Sequence, residues 1–516
     1  MSKLNRILQL FMPSMIDTIL IALFFSIMVF KPISCYDLWW HLRTGEVLLS
    51  GNFPTVDIFS FSAAGKEWIL HEWLSEVIFA FIHRYSGLAG LLAMKALIIT
   101  LTISTVYGIM RKRGINIFLA LIVTGMTIAG AGSIWTVRPH IFTMLFIVML
   151  ADWLYQYWDH GCKKILYLMP LLFFFWVNLH GGFILGFVFL AIVTGSQIIN
   201  NLLKVDTGYN VPFDKIYSLI GSSTVSFMFC FLNPNTYKGV LYPFLYLGDK
   251  ITNHLVTEWQ PATIQNSIIF MIILFFMLVS LCFSSRRPRF FESAALIVFI
   301  FWSFKYQRMV GYFSVLCLPL MAGSFQELIS ILYSGMRSIG FFKIDFLIGK
   351  CGDYIISRSK TFGDIESQLK YHGLVYISII TISFIAITGI LPDFIKVEIE
   401  KGNFPDKTFT YLKEHKIEGN ILNRYGWGGY LIYKMPEKKV FIDGRLDVYQ
   451  KEIMEEYYKV CDLKEGWEEV IDKYGITHVL LGPESNFSKF ITRIDSRWSV
   501  VSKDENSLLF VLRDNK

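Results

Sequence analysis

The sequence predicts a polytopic α-helical membrane protein of about 11 spans that ends in a small C-terminal α/β domain. The 516-residue chain is 54% hydrophobic and 16% aromatic, and its mean hydropathy is +0.48. A soluble domain cannot bury that much apolar surface. Long apolar runs alternate with short Lys and Arg clusters, as they do in multi-pass membrane proteins. Residues 393–516 break this pattern because they are polar and charged.

The apolar runs give the positions of the spans. Several are shorter than the ~20 residues that a helix needs to cross an untilted hydrocarbon core. The predicted spans are residues 14–33, 88–110, 116–134, 140–157, 165–178, 182–200, 215–232, 267–285, 290–304, 309–325 and 372–392.

The basic clusters predict the orientation. Lys3 and Arg6 precede the first span, which has no clear cleavage site after it, so we expect a retained span and a cytoplasmic N-terminus. The loops RKRG at 111–114, DHGCKK at 159–164 and SSRRPR at 284–289, the polar loop 201–214 and the basic segment 326–371 then all fall inside. We therefore expect a bacterial cytoplasmic (inner) membrane protein whose C-terminal part is extracytoplasmic.

The C-terminal part has the pattern of a separate domain. Short β-rich runs (KKVFIDG, THVLLG and SLLFVL) alternate with helical patterns (KTFTYLKEHK and GWEEVIDKYG). The sequence predicts a transmembrane domain over 1–392, with a large first outer loop at 34–87, and an α/β domain over 393–516.

Charge, cysteine usage and motifs exclude several functions. The net charge of +7 comes from clusters between apolar runs, which suits orientation in a membrane and not a nucleic-acid groove, so we expect no nucleic-acid partner. The seven cysteines form no CxxC pair. No P-loop, Rossmann fingerprint or kinase motif is present, so nucleotide-driven chemistry is not expected.

The unusual polar motifs all fall on the predicted outer side. Seven motifs of the outer segments contain five of the ten histidines and several tryptophans, whereas the inner loops hold mainly Lys and Arg. Polar groups at the hydrocarbon boundary cost free energy, so a cluster on one face indicates a functional site. These motifs are YDLWWHLRTGE, WILHEWLSE, WTVRPH, WVNLHGGF, HLVTEWQP, KYQRM and FIDGRLDVY.

This layout resembles the GT-C class of polytopic glycosyltransferases, including protein mannosyltransferases. The shared features are a first span that leads into a large outer loop, an acid soon after the membrane (here Asp37), many further spans and an outer C-terminal domain. GWGGYLIYKMPEKKVFIDGR is also loosely similar to the WWDYG region of oligosaccharyltransferase catalytic subunits. The resemblance implies inverting transfer of a sugar from a polyprenyl-phosphate-linked donor to a lipid, glycan or protein acceptor. Asp37 stands alone, whereas many members carry a paired acid.

Asp37 is the candidate base, because reduced solvation next to the membrane would raise its pKa. His41 lies one helical turn further on, where it would assist the acid. Trp39 and Trp40 would anchor the loop at the interface and stack on a sugar. In the alternative interpretation Asp37 caps a helix and Arg43 pairs with Glu46.

Other residues complete the candidate site. Glu72 would be a second carboxylate or a helix cap. Arginines at span ends suit a phosphate or would extend to lipid headgroups. The donor-phosphate candidates are Arg138, Arg308 and His140, and the further substrate candidates are Asn178, His180, Glu258, Asp443 and Arg445, of which the last two would bind the acceptor or dock the C-terminal domain.

A divalent cation, Mg²⁺ or Mn²⁺, is a further expectation, with Asp37 and His41 as its ligands. Two other functions remain open. A transporter or flippase for a lipid or polar solute would bury ionisable residues in mid-membrane, whereas here the polar set gathers at one end of the spans. A non-catalytic envelope-assembly protein would bind glycan without turnover.

Overall fold

The fold was analysed in a computed structural model that describes residues 35–203, 211–245, 257–284, 288–338, 361, 404–415, 417–449 and 451–513. The predicted first and last spans, 14–33 and 372–392, lie outside these residues.

Helices account for most of the described chain before residue 339. They are α1 (Leu38–Leu49), α2 (Trp73–Lys112), α3 (Ile117–Ala131), α4 (His140–His160), α5 (Lys164–Leu179), α6 (Phe183–Leu203), α7 (Phe213–Phe229), α8 (Tyr237–Leu245), α9 (Ile268–Phe283), α10 (Phe290–Lys305) and α11 (Met309–Ser338).

Five of the described helices are long and apolar enough to cross a membrane. They are α2, α3 with the 3₁₀ turn that follows it, α4, α6 and α11, while α5 and α9 are shorter apolar helices. The chain is thus a mostly helical multi-pass membrane protein. The total of eleven spans and the orientation stay predictions.

Helix α2 begins in the loop that precedes the predicted span 88–110. Its first part runs from Trp73 to the residue before Gly87, and its second part carries that span. Gly87 lies between them with φ 57° and ψ −158°, a conformation that glycine adopts without a steric penalty. The chain therefore kinks where the first part ends.

The C-terminal part is a small mixed sheet with helices. Its elements are α12 (Asp406–Glu414), β1 (Asn420–Asn423), α13 (Gly428–Lys434), α14 (Lys451–Asp462), α15 (Trp467–Lys473), β2 (Ile476–Leu481), α16 (Asn486–Ile494), β3 (Trp498–Lys503) and β4 (Leu508–Leu512). The strand order is β1-β2-β4-β3. β1 and β2 are parallel, and the other pairs are antiparallel.

One predicted strand is wrong. KKVFIDG is extended but does not join the sheet, because other groups satisfy its backbone. Val440 donates its N–H to the Phe59 carbonyl (3.0 Å) and accepts the N–H of Phe61 (3.0 Å). The side-chain oxygen of Asn423 accepts the N–H of Phe441 (2.9 Å). The segment therefore joins the C-terminal part to the loop between α1 and α2, which belongs to the predicted first outer loop.

Helix α1, the first outer loop and the C-terminal part share one hydrophobic core. Trp39 lies at its centre, 1% exposed, with its ring centroid 5.9 Å from Phe404, 5.0 Å from Tyr430 and 5.2 Å from Tyr433. The core fixes the C-terminal part against the entrance of the helix bundle.

Arg445 joins the same two regions through charge. Its Nη1 lies 2.8 Å from Asp57 Oδ1 in the first outer loop, and its Nη2 lies 2.7 Å from Asp443 Oδ2. All three side chains are fully buried. The hydroxyl of Tyr449 donates to Asp443 (2.6 Å), and the guanidinium lies 4.5 Å from the Trp68 ring centroid. These contacts favour the docking role that the sequence left open for Arg445.

We expect Arg445→Ala to destabilise the protein by about 3–5 kcal/mol, because it leaves the carboxylates of Asp57 and Asp443 buried without their cation. Thermal unfolding in detergent checks this. Arg497→Ala is the matched control, since Arg497 forms an exposed pair with Asp495 and should leave the Tm almost unchanged. Equal Tm losses in both variants would contradict the structural role of Arg445.

Candidate active site

A cavity of about 1430 Å³ lies between the helix bundle and the C-terminal part. Helix α1, the start of α2 and the loops before α4, α6 and α11 form one wall, and the segments after β1 and β2 form another. The carboxyl ends of β1 and β2 open into it, which is where ligands bind to parallel strands.

Asp37 lines this cavity at the start of α1. It forms no side-chain capping bond. Its Oδ2 lies 3.0 Å from Arg138 Nη2, and its Oδ1 accepts a 3.4 Å hydrogen bond from Trp40 Nε1. Burial raises the pKa of Asp37, and although Arg138 lowers it, the net direction is upward. In the alternative interpretation of the sequence, Asp37 caps a helix and Arg43 pairs with Glu46. Of these two contacts the structure shows the second, at 2.8 Å.

The C-terminal part approaches Asp37 through a glycine. A Cβ placed on Gly444 would lie 2.1 Å from Asp37 Oδ1 and 3.0 Å from Trp40 Nε1. Only a residue without a side chain fits there, so Gly444 lets the segment next to Arg445 close the cavity over the acid.

Glu258 links two arginines in the same cavity. Its carboxylate lies 3.1 Å from Arg138 Nη1 and 3.7 Å from Arg308 Nη1. The Arg308 guanidinium also stacks 4.7 Å from the ring centroid of Trp259, and its backbone N–H donates to the Glu258 carbonyl (2.9 Å). Burial raises the pKa of Glu258, but the two guanidinium groups lower it more strongly, to about 2. Glu258 therefore stays ionised and holds both cations.

Glu72 lies among three imidazoles. The Nε2 atoms of His71 and His180 are each 3.5 Å from its Oε1, and the Nε2 of His41 is 3.9 Å from its Oε2. Burial raises the pKa of Glu72, but the histidines, His71 first, lower it further, so the carboxylate is ionised. Burial lowers the pKa of His71, but Glu72 raises it more. Burial lowers the pKa of His41 to about 3, so this ring is neutral.

The structure gives His41 and Asp37 different side-chain partners, so the predicted pair is not seen. Its Nδ1 lies 3.2 Å from Glu76 Oε1, while Asp37 faces Arg138. Helix α1 packs along α2, which turns the His41 ring toward Glu76 and leaves Asp37 at the helix end facing the loop before α4.

Trp39 and Trp40, the two tryptophans of the motif YDLWWHLRTGE, lie in different places. Trp40 lines the cavity, with its ring centroid 3.6 Å from that of His41. Trp39 lies in the core described above and outside the cavity lining. Its predicted sugar contact therefore has no support in the geometry.

Asn178 and Asp443 also lie outside the cavity lining. Asn178 accepts a hydrogen bond from Trp73 Nε1 (2.8 Å) and donates to the carbonyls of Phe174 and Leu232, so it ties helices together. Asp443 is held by Arg445. These partners satisfy both side chains inside the protein and leave none of the predicted substrate contacts.

His140 lines the cavity, but its Nε2 hydrogen-bonds the Ile134 carbonyl. This bond fixes the loop that carries Arg138, so His140 supports the arginine and its Nε2 is not available to a phosphate.

Sequence reasoning missed Glu76 and Asp57. Glu76 carried a usable signal, since it follows Glu72 by one helical turn in an amphipathic stretch. Asp57 has no such signal in the sequence, because its partner Arg445 is far away along the chain.

The expected metal ligands do not converge. Among the residues that the structure describes, no group of three His, Cys, Asp or Glu side chains is arranged to hold a metal ion. Asp37 faces a guanidinium and His41 faces carboxylates, so the pair does not fit a divalent cation. We derive no reaction step through one.

No protein-family model and no curated protein matches the sequence. Solved structures match in fold. The apo oligosaccharyltransferase of Archaeoglobus fulgidus aligns with a TM-score of 0.55 at 13% identity, over 91% of this chain and 69% of that chain. The archaeal oligosaccharyltransferase AglB from the same organism, in complex with an inhibitory peptide and a dolichol-phosphate, aligns with a TM-score of 0.53 at 13% identity, over 94% and 70%. The oligosaccharyltransferase tethered to an acceptor peptide aligns with a TM-score of 0.51 at 12% identity, over 91% and 69%. The chain therefore has the fold of these archaeal oligosaccharyltransferase structures.

Proposed function

We propose that the protein is a glycosyltransferase that transfers a sugar from a polyprenyl-phosphate-linked donor to an acceptor inside this cavity. The observation that carries the proposal is a carboxylate with a raised pKa, Asp37, beside the guanidinium of Arg138 in one cavity with Arg308. An AglB structure with the same fold contains dolichol-phosphate, a lipid phosphate of this class.

Asp37 is the general base in this proposal. It takes the proton from the acceptor nucleophile as the bond to the anomeric carbon forms. The bond between that carbon and the phosphate oxygen breaks, and its electron pair leaves with the phosphate. Attack opposite the leaving group inverts the anomeric carbon.

Arg138 and Arg308 stabilise the negative charge that develops on the leaving phosphate. A guanidinium presents a planar fork of donors that suits phosphate oxygens. Glu258 holds both forks on one side, so little reorganisation is needed when the donor binds.

The cavity lining suits two substrates. Apolar side chains from the helix bundle suit the polyprenyl tail. They include Ile184, Leu185, Val188, Phe244 and Trp302. Polar side chains from the C-terminal part, after β1 and β2 and on α14, suit a lipid, glycan or protein acceptor. They include Arg424, Tyr458, Asp462, Glu484 and Ser485.

This reaction belongs to the outer face of the bacterial cytoplasmic membrane, where the predicted topology puts the first loop and the C-terminal part. A transporter or an assembly protein would bind the same ligands without breaking the sugar–phosphate bond. Release of the carrier phosphate therefore separates the enzyme from both alternatives.

We expect Asp37→Asn to lower turnover by about 10²–10⁴-fold, because the amide cannot accept the acceptor proton. Purified protein is incubated with a panel of polyprenyl-phosphate sugars, and released carrier phosphate is measured. Glu46→Gln, a neutralised carboxylate on the same helix outside the cavity, is the control and should retain the wild-type rate. No release by folded wild-type protein with any donor would reject the proposal.

The rate should depend on pH through Asp37. Because the pKa of Asp37 is raised above its ordinary value, the active carboxylate form is lost as pH falls through that raised pKa. We expect kcat/KM to rise with pH, to have its acidic midpoint above about 4 and then to level off. A midpoint at or below 4, or the same acidic limb in Asp37→Asn, would argue against Asp37 as the base.

Arg308→Ala should weaken donor binding about 10- to 100-fold, since it removes a charged hydrogen bond to phosphate. Equilibrium binding of a polyprenyl phosphate measures this, with Arg43→Ala, outside the cavity, as the charge-matched control. Equal affinity in all three proteins would remove Arg308 from the donor site.

A further inference from the structure

We propose that the guanidinium of Arg138 takes the place of a divalent cation in this site, so that sugar transfer proceeds without a bound metal ion. This inference rests on the proposed function for its catalytic meaning. Its structural content, a site built around an arginine, can be tested without turnover.

The first argument is geometric. The fork of Arg138 lies between two carboxylates, with Nη2 at 3.0 Å from Asp37 Oδ2 and Nη1 at 3.1 Å from Glu258 Oε2. A Mg²⁺ ion requires oxygen ligands at about 2.0–2.1 Å in an octahedral arrangement. The two carboxylates that would supply such ligands each direct an oxygen at a guanidinium nitrogen.

The second argument is charge. With Asp37 in the ionised form that a general base needs, the two carboxylates of Asp37 and Glu258 balance the two guanidinium groups of Arg138 and Arg308. A divalent cation would bring further positive charge next to two guanidinium groups. A phosphate donor would instead bring negative charge next to the guanidinium groups of Arg138 and Arg308.

The third argument is that Arg138 is held in position. It lies between the 3₁₀ turn that ends at Ile134 and the start of α4, and its own N–H donates to the Thr136 carbonyl (2.9 Å). His140 anchors the same loop at the Ile134 carbonyl. Burial lowers the pKa of Arg138, but Glu258 and Asp37 raise it well above its ordinary value, so the cation is permanent.

The histidine cluster does not offer a second cation site. His180 Nδ1 accepts the N–H of Gly182 at 2.9 Å, so a neutral ring carries its proton on Nε2, the atom that faces Glu72. His71 Nε2 lies 3.5 Å from the same carboxylate, which raises the pKa of the ring. At His180, therefore, an N–H group points at Glu72 where a metal ligand would need a lone pair.

During transfer Arg138 would supply the positive charge that a metal ion supplies elsewhere. The bond from the anomeric carbon to the phosphate oxygen breaks, the electron pair stays on the phosphate, and Arg138 remains protonated. The transfer step therefore requires no oxidant, reductant or metal ion.

Binding of Mn²⁺, measured by electron paramagnetic resonance, tests the inference independently of activity. Wild-type protein and Asp37→Asn should bind Mn²⁺ equally weakly. Arg138→Asp would put three carboxylates together and should bind at least tenfold more tightly. Arg43→Asp makes the same charge change outside the cavity and should show no gain. Wild-type Mn²⁺ binding that is lost in Asp37→Asn would overturn the inference, even if Arg138→Asp failed to fold.

Turnover gives the second test. Release of carrier phosphate by the wild type should change less than twofold after treatment with EDTA. Loss of release with EDTA, restored by Mg²⁺ or Mn²⁺, would overturn the metal-free reaction while leaving the glycosyltransferase proposal intact. Absence of release under all conditions would instead reject that proposal, and the Mn²⁺ measurement would still decide the inference about Arg138.

Discussion

The buried ion network around Arg445 is the contact on which the rest of the site depends. Asp57 belongs to the first outer loop and Asp443 to the C-terminal part, and one guanidinium holds both without access to water. Breaking such a network costs more than breaking a surface pair, because each partner is left as an uncompensated buried charge. Gly444 lies between Asp443 and Arg445 in the sequence, and it is packed against Asp37. Docking of the two regions and closure of the cavity over Asp37 are therefore one structural event.

The charges inside the cavity form two groups with different properties. Around Arg138, two carboxylates face two guanidinium groups. Around Glu72, one carboxylate faces three imidazoles. The carboxylate raises the pKa of His71, whereas burial lowers the pKa of His41. The first group suits an incoming anion. The second fixes the position of α1 against α2, since His41 on α1 contacts Glu72 and Glu76 at the start of α2.

Much of the fold could be predicted from the sequence. The helices α2, α4, α6 and α11 follow from apolar runs, and β2 and β4 follow from THVLLG and SLLFVL. The error at KKVFIDG has a physical cause. Its composition suits a strand, but pairing in a sheet also needs a partner with free backbone groups, and the partner here is the loop at Phe59 and Phe61.

The sequence by itself determined the membrane character, the order of the helices and the gathering of polar motifs near the span ends, because these depend on local composition and charge. The candidate residues Asp37, Glu72, Arg138, Arg308, His180 and Glu258 that it singled out all line one cavity. Only the tertiary structure decided their partners. Spacing along α1 suggested an Asp37–His41 pair, yet Asp37 meets Arg138 and His41 meets Glu76. Helical periodicity fixes which residues share a face, whereas side-chain pairing depends on segments that are distant in sequence and are brought together by packing.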